Sequence, residues 1–272
     1  MTEVGYTKTI KPVRDWNERV WRLMFAQQLE ITRGRVDGAS PVVIDGYLVT
    51  SGAATDVLIL EGSTIKDPSI APVGGLQMSI VSTSAQDGVN GTGVRSIVVN
   101  YLDAALNPQS ETVILNGTTP VLTVATNIRW VGEIHLLTYG SGKEFAGDLT
   151  VTNAGTRYKF ISAGSRTTRS SAYRVPAGKR LIVHTLYAGS ASGSAAARVT
   201  VDFAASVIDS ESFADSGLLV TQGTIALQDS SVVLSDGALY AVPAGEIVAL
   251  RATTDKAATI TAGAYGWIED AD

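Results

Sequence analysis

The chain has 272 residues, no cysteine, a net charge of −5 and only 17% charged residues, against about a quarter in an average globular protein. The lack of cysteine excludes disulfides and thiolate metal sites. The length allows one or two domains with sizeable cores.

The first residues, Met1-Thr-Glu-Val-Gly-Tyr6, lack the charged-then-apolar order of a signal peptide. No apolar run approaches the roughly 18 residues that a membrane span needs. Synthesis and retention in a cytoplasm are therefore expected. The charge is unevenly spread. Residues 1–35 carry seven Lys/Arg against four Asp/Glu, residues 157–180 carry seven Lys/Arg and no acid, and residues 199–272 carry eleven acids against Arg251 and Lys256. Such polarity suits orientation on a charged neighbour, or no more than a solvated face.

From Pro12 to about Thr32 the spacing predicts a helix. Pro12 fits the first helical position, and Asp15 and Glu18 lie where the helix dipole favours acids. Val13, Trp16, Val20, Leu23, Met24 and Gln27 form one row, and Trp21, Phe25 and Leu29 a second beside it. Gly34 is the expected stop. So wide an aromatic face must be buried, either under its own β-domain or in another subunit. Glu18 and Glu30 argue against a basic membrane-surface helix.

After Pro41 the pattern becomes β. Val42–Thr50, Val57–Leu60 and Gln77–Thr83 read as strands. Residues 61–76 read as an exposed loop, and Asp87–Gly93 as a second, glycine-rich loop. Arg95–Leu102 is expected to pair with Glu111–Leu115 across Asp103–Pro108, with Asn116-Gly117 at the next turn. Val121–Ala125, Ile128–Tyr139 and Asp148–Asn153 complete a first set. Ser162–Ser171 reads as a basic linker or long loop. A second set runs from Arg180 to Ile268. The phrase Tyr-x-Val-Pro-Ala-Gly occurs at Tyr173–Gly178 and again at Tyr240–Gly245, too few copies for a solenoid, and is expected to mark equivalent corners of one sandwich. The predicted fold is mainly β: an N-terminal arm over residues 1–40 with an amphipathic helix at about 12–33, a first β-sandwich over 41–160, and a second, jelly-roll-like sandwich over 161–272.

Catalytic motifs are incomplete. His135 and His184 each stand mid-strand among apolar residues. With no cysteine and no paired histidines, no metal or cofactor is expected. Gly140-Ser-Gly-Lys-Glu144 resembles the end of a phosphate loop, but Leu137 replaces the first glycine and Glu144 follows the lysine. Gly189-Ser-Ala-Ser-Gly193 resembles a nucleophile elbow with Ala191 where the nucleophile should stand. Gly88–Gly93 has the wrong spacing for a dinucleotide fingerprint. Asp87, Asn90 and Asp236 could offer oxygens to calcium, without a calcium-loop motif. Arg157, Lys159, Arg166, Arg169, Arg174, Lys179 and Arg180 form a candidate basic docking band. Tyr158, Phe160 and Tyr173 within it could stack on bases, but a sequence pI near 5.1 argues against nucleic acid as the partner.

Gly91-Thr-Gly-x-Arg95, Tyr101-Leu-Asp103, Gln109-Ser-Glu-Thr-Val-x-Leu-Asn-Gly-Thr118, Gly140-Ser-Gly142 and Ala146-Gly-Asp-Leu-Thr150 together resemble a module of tailed-bacteriophage structural proteins. The resemblance covers about 60 residues as motif and residues 80–270 as style; it does not include the N-terminal helix. It implies a non-enzymatic β-sandwich subunit of a virion, made in the bacterial host cytoplasm and displayed on capsid, neck or tail. Other virion proteins would be its partners. It would form a homo-oligomer, most simply a trimer, with no nucleic acid and no membrane. Trp16, Val20, Trp21, Met24 and Phe25 would be the anchor. Two other expectations stand beside it. One is a host-receptor or carbohydrate-binding module using Tyr47, Tyr101, Tyr139 and Tyr187. The other is a polysaccharide-degrading virion enzyme, which no motif marks.

Overall fold

The computed structural model describes residues 29–61, 70–192, 197–206, 219–228 and 232–271. The anchor residues Trp16, Val20, Trp21, Met24 and Phe25, and most of the expected helix, lie outside them. Residues 29–32 are helical and end as the sequence asks. Gly34 has φ +67°, its N–H bonds to the Ile31 carbonyl at 2.9 Å, and the Arg35 N–H reaches back to the Glu30 carbonyl at 2.9 Å. Those two bonds are a Schellman cap.

The other regular elements among the described residues are β-strands, in antiparallel sheets. One sheet has the order β1 (Ser40–Val49), β16 (Ala258–Asp270), β11 (Lys179–Ser192), β14 (Val232–Val242). The second contains β2 (Ala54–Leu58), β15 (Ile247–Thr254), β12 (Arg198–Ser206) and β13 (Leu219–Gln228), paired in that order. Short β10 (Tyr173–Arg174) shares the β2 side of β15, at Ile247 and Val248. The two sheets close on one core. Ile44, Leu48, Leu181, Val183 and Ile260 come from the first, and Val199, Val201, Phe203, Val248 and Leu250 from the second.

Between β2 and β10 the chain makes another pair of sheets. One has the order β6 (Val121–Leu122), β3 (Ser79–Ser82), β8 (Leu149–Asn153), β9 (Thr156–Ile161). The other has the order β5 (Pro108–Ile114), β4 (Val94–Leu102), β7 (Trp130–Tyr139). Their shared core includes Ile80, Val151 and Ile161 from one sheet and Ile97, Val99, Val113 and Ile134 from the other. The expected hairpin is present, with Ser96 opposite Ile114 and Leu102 opposite Pro108.

The expected division into consecutive sandwiches, 41–160 and 161–272, does not describe this arrangement. β1 pairs with β16 from Ser40↔Ile268 to Val49↔Thr259, and β2 pairs with β15. Residues 40–58 thus belong with the C-terminal strands, and the pair of sheets holding residues 79–161 is an insertion. The cause is non-local. β1 alternates Val42, Ile44, Gly46 and Leu48 toward the core with Val43, Asp45, Tyr47 and Val49 outward, and only a partner with matching alternation covers that core face.

A third apolar cluster joins the units: Leu58, Leu102, Leu106, Trp130, Ala172, Ile247 and Ala249. β15 is consequently buried on both faces. Val248, Leu250 and Ala252 face the first core, and Ile247 and Ala249 face the junction. Its unbroken apolar start, Ile-Val-Ala-Leu, is what a doubly covered strand requires.

Of the two expectations for Ser162–Ser171, linker or long loop, the structure shows the long loop, and it is strapped down. Arg166 and Thr168 bond to β7 through Leu136 and Ile134, while Arg169 and Ser171 bond to Glu61 and Ile59. The two Val-Pro-Ala-Gly corners lie side by side: the Val175 N–H donates to the Glu246 carbonyl at 2.9 Å, and the Gly245 N–H donates to the Val175 carbonyl at 2.9 Å.

Candidate functional site

The outward face of β1, β16 and β11 brings aromatic, acidic and basic groups together, and its geometry starts from a glycine. Asp45 of β1 and Tyr187 of β11 both stand opposite Gly263 of the strand between them. A side chain at 263 would collide with the Ile44 carbonyl and the Tyr187 ring. Bare backbone there lets the Tyr187 phenol cross β16 and donate to Asp45 Oδ1 at 2.7 Å. Arg169, from the strapped segment, donates Nε to Asp45 Oδ2 at 3.3 Å and lays its guanidinium 4.6 Å from the Tyr47 ring centroid. Burial, reinforced by the hydrogen bond to Asp45 and its charge, holds the Tyr187 phenol far above its ordinary pKa. It therefore remains a donor throughout the neutral range.

Tyr265 packs tilted against Tyr187 with centroids 5.2 Å apart. It stands opposite Val43 and is 41% exposed, with Val43 at 62%. Further along the face, Trp267 stacks on His184 at 5.7 Å and donates Nε1 to Glu269 at 2.8 Å. Arg180 Nε donates to the other oxygen of Glu269 at 2.6 Å. Burial acts to raise the Glu269 carboxyl, but these bonds and the Arg180 charge together hold it below the ordinary carboxylate value. His184 also bonds the Thr185 hydroxyl at 2.7 Å. The face thus offers ring surfaces beside a part-exposed ion pair. Tyr47 and Tyr187, named from sequence, meet here. Tyr101 and Tyr139 lie on β4 and β7 of the inserted unit. No sequence motif marks Asp45, Tyr265 or Trp267. An acid inside the apolar run Val42-Val-Ile-Asp-Gly-Tyr-Leu-Val49, and glycines inside β16, were the available signals.

The seven basic residues do not form one band. Arg174 is 1% exposed and Lys159 8%. Burial lowers the Lys159 amine to about 8, against a smaller opposite effect of Glu133, and its ammonium lies 6.0 Å from the Trp130 ring centroid. Arg157 covers Phe160 at 4.8 Å. Arg169 and Arg180 belong to the aromatic face, and Lys179 pairs with Asp270 at 2.5 Å. Arg166 is exposed. Closeness in sequence does not make one face here, because turns and sheet changes separate these positions.

The motif behind the family resemblance is a knot around Asp87. This carboxylate is fully buried. It accepts from Ser82 Oγ at 2.6 Å and from the N–H groups of Val94, Ala146 and Gly147, each at 2.9 Å. Side chains at Gly91, Gly93, Gly140 or Gly147 would strike neighbouring backbone or Asp87 itself. The expected glycine-rich loop Asp87–Gly93 is present: Val89, Asn90 and Thr92 are exposed, while Asp87, Gly88 and Gly93 are buried in this knot. Its carboxylate is saturated by four donors, which removes Asp87 as a calcium ligand. The phosphate-loop likeness fails too: Gly140 and Gly142 spend their N–H groups on the carbonyls of Gly93 and Thr92, each at 2.7 Å. Among the described residues no three His, Asp or Glu side chains converge as metal ligands, and no helix is long and apolar enough to cross a membrane.

No family model and no curated protein matches this chain. Two solved structures of infectious bursal disease virus, one of the Gx strain and one of the VP2 subviral particle, align over 85% and 86% of this chain and 71% and 73% of theirs. Identities are 10% and 9%, and TM-scores 0.20 and 0.21. A lipoprotein from Bacteroides thetaiotaomicron aligns over 85% of this chain and 96% of its own, at 12% identity and a TM-score of 0.15. Scores at that level establish no shared fold.

Proposed function

We propose that this chain is a non-enzymatic structural subunit of a virus particle, in particular of a tailed bacteriophage. It works as a homo-oligomer, most simply a trimer, attached to capsid, neck or tail by its N-terminal segment. The observation that carries the reading is a strand order. With β10 set aside, eight strands remain in the first pair of sheets. Counted along the chain, they lie as first-eighth-third-sixth in one sheet and second-seventh-fourth-fifth in the other. We read that order as two interlocked Greek keys, a jelly roll, an architecture that recurs in viral capsid and lectin domains and in cupins. Topology alone does not choose among these. The motif of residues 91–118 favours the virion member, and the bacteriophage assignment rests on that motif.

The test is particle incorporation. Deleting residues 1–28 leaves the Schellman cap at Gly34 and every described strand. The truncated protein is expected to keep its cooperative unfolding and to be missing from purified particles by mass spectrometry. Normal incorporation would refute the anchor. Absence of the full-length chain from particles would refute the virion role.

A further inference from the structure

We infer that the outward face of β1, β16 and β11 is a binding site for neutral oligosaccharide. The inference rests on the receptor- or carbohydrate-binding reading of the sequence. It is independent of particle incorporation, so either can fail alone.

The face has a graded relief. The row Asp45–Gly263–Tyr187 and the row holding Val43 and Tyr265 are tall, because Tyr187 lies across the bare glycine and Tyr265 packs against it. The next two rows are low away from β1: Tyr47–Thr261–Gly189, then Val49–Thr259–Ala191. Hydroxyls and small residues on β16 and β11 are thus bordered by Tyr47 on one side and the Tyr187–Tyr265 pair on another. Such a step suits a flat ring better than a protruding side chain.

The chemistry matches a pyranose. A sugar offers one patch of C–H groups and a rim of hydroxyls. The negative face of an aromatic ring attracts such C–H groups, and Tyr265 is the exposed ring. Hydroxyls need donors and acceptors side by side. The Arg169–Asp45 pair supplies both, with its side chains 34% and 38% exposed, and Thr259 and Thr261 add hydroxyls. The pair is already organised by Tyr187 and by the Tyr47 ring, which lowers the ordering cost of binding. Its charges cancel, so a neutral ligand fits better than an anionic or cationic one. A protein partner would have to desolvate an ion pair that a hydroxyl-rich ligand keeps hydrogen-bonded.

The experiment is titration calorimetry of the full-length protein with neutral gluco-, galacto- and manno-oligosaccharides, alongside analytical ultracentrifugation. Binding is expected for at least one series. Tyr265→Ala should weaken it roughly tenfold or more, and Tyr265→Phe should retain it. Tyr139→Ala, an exposed aromatic on the inserted unit, should leave it unchanged. Matching unfolding midpoints would show that each variant is folded. Three results would overturn the site: no binding of any neutral series, binding indifferent to Tyr265→Ala, or self-association that Tyr265→Ala abolishes, which would make the face a contact between copies.

Discussion

Asp87 shows how much one side chain can organise. Three backbone N–H groups and one hydroxyl converge on it, and the side chain is closed off from the surface. A buried donor left without its acceptor costs about 1–3 kcal/mol. Asp87→Ala is therefore expected to destabilise the protein by about 3–5 kcal/mol, within the range for broken buried charged networks, as read by guanidinium unfolding. Asp87→Asn should be nearly as harmful, because its amide group turns donors toward donors. Gly263→Ala should cost about 1–3 kcal/mol through overpacking against Tyr187 and the Ile44 carbonyl.

Lys159 gives a pH signature at the same scale. Its folded pKa, about 8, lies below the ordinary lysine value of 10.5. Between those values the unfolded chain binds more protons, so this group makes stability rise with pH across that window. Tyr187 works oppositely. Its raised phenol pKa contributes stability that is lost as pH climbs past the ordinary tyrosine value of 10.0. Unfolding measured between pH 8 and 9.5 should therefore show increasing stability in the wild type, and Lys159→Met should flatten that slope. An unchanged slope in the variant would place the titrating group elsewhere.

Elements were legible where the determinants are local. The Arg95–Leu102 hairpin, the cap at Gly34 and the turn at Gly117, with φ +59°, follow from turn chemistry and alternation within a few residues. Strand partnership was not legible, because β1 and β16 lie about 200 residues apart in the chain and meet only through matching outward and inward faces. A fragment covering residues 161–272 lacks both β1 and β2. It is expected to show no cooperative unfolding transition alone and to regain one when residues 39–61 are linked to it. Folding of the shorter fragment by itself would contradict the pairing.

The same limit governs the candidate face. Tyr47 and Tyr187 could be chosen as aromatic strand residues, but their shared face could not be read without the register that puts Gly263 between Tyr187 and Asp45. The basic stretch failed in the opposite sense. Its charges are adjacent along the chain, yet Lys159 and Arg174 are buried and Lys179 and Arg180 lie against acids of β16.

At the scale of the molecule, the inserted sheets do more than extend the chain. They cover β15 through Trp130, Leu102 and Leu106. Leu106 holds φ +64° without being glycine, its N–H and carbonyl are both engaged, with Asp103 and Ala177, and its side chain is buried at the junction. Trp130→Ala is expected to cost about 3–5 kcal/mol, and limited proteolysis should then separate the two units. Separation would mark this junction as the tie between them, and an intact single body in the variant would deny it. In a particle, that tie would fix the inserted unit to the eight-stranded one, so the outward β1–β16–β11 face would keep a set direction.

Composition and local pattern by themselves determined that this protein is mainly β, that it has no thiol chemistry, and where its hairpins turn. These depend on side-chain alternation and turn dihedrals within a few neighbouring residues. Only the tertiary structure decided that one pair of sheets is inserted into another, that the glycine motif encloses a buried carboxylate, and that tyrosines from β1, β11 and β16 share a face with an ion pair. Each of those outcomes joins residues far apart in the chain, and long-range register and burial, rather than local preference, select them.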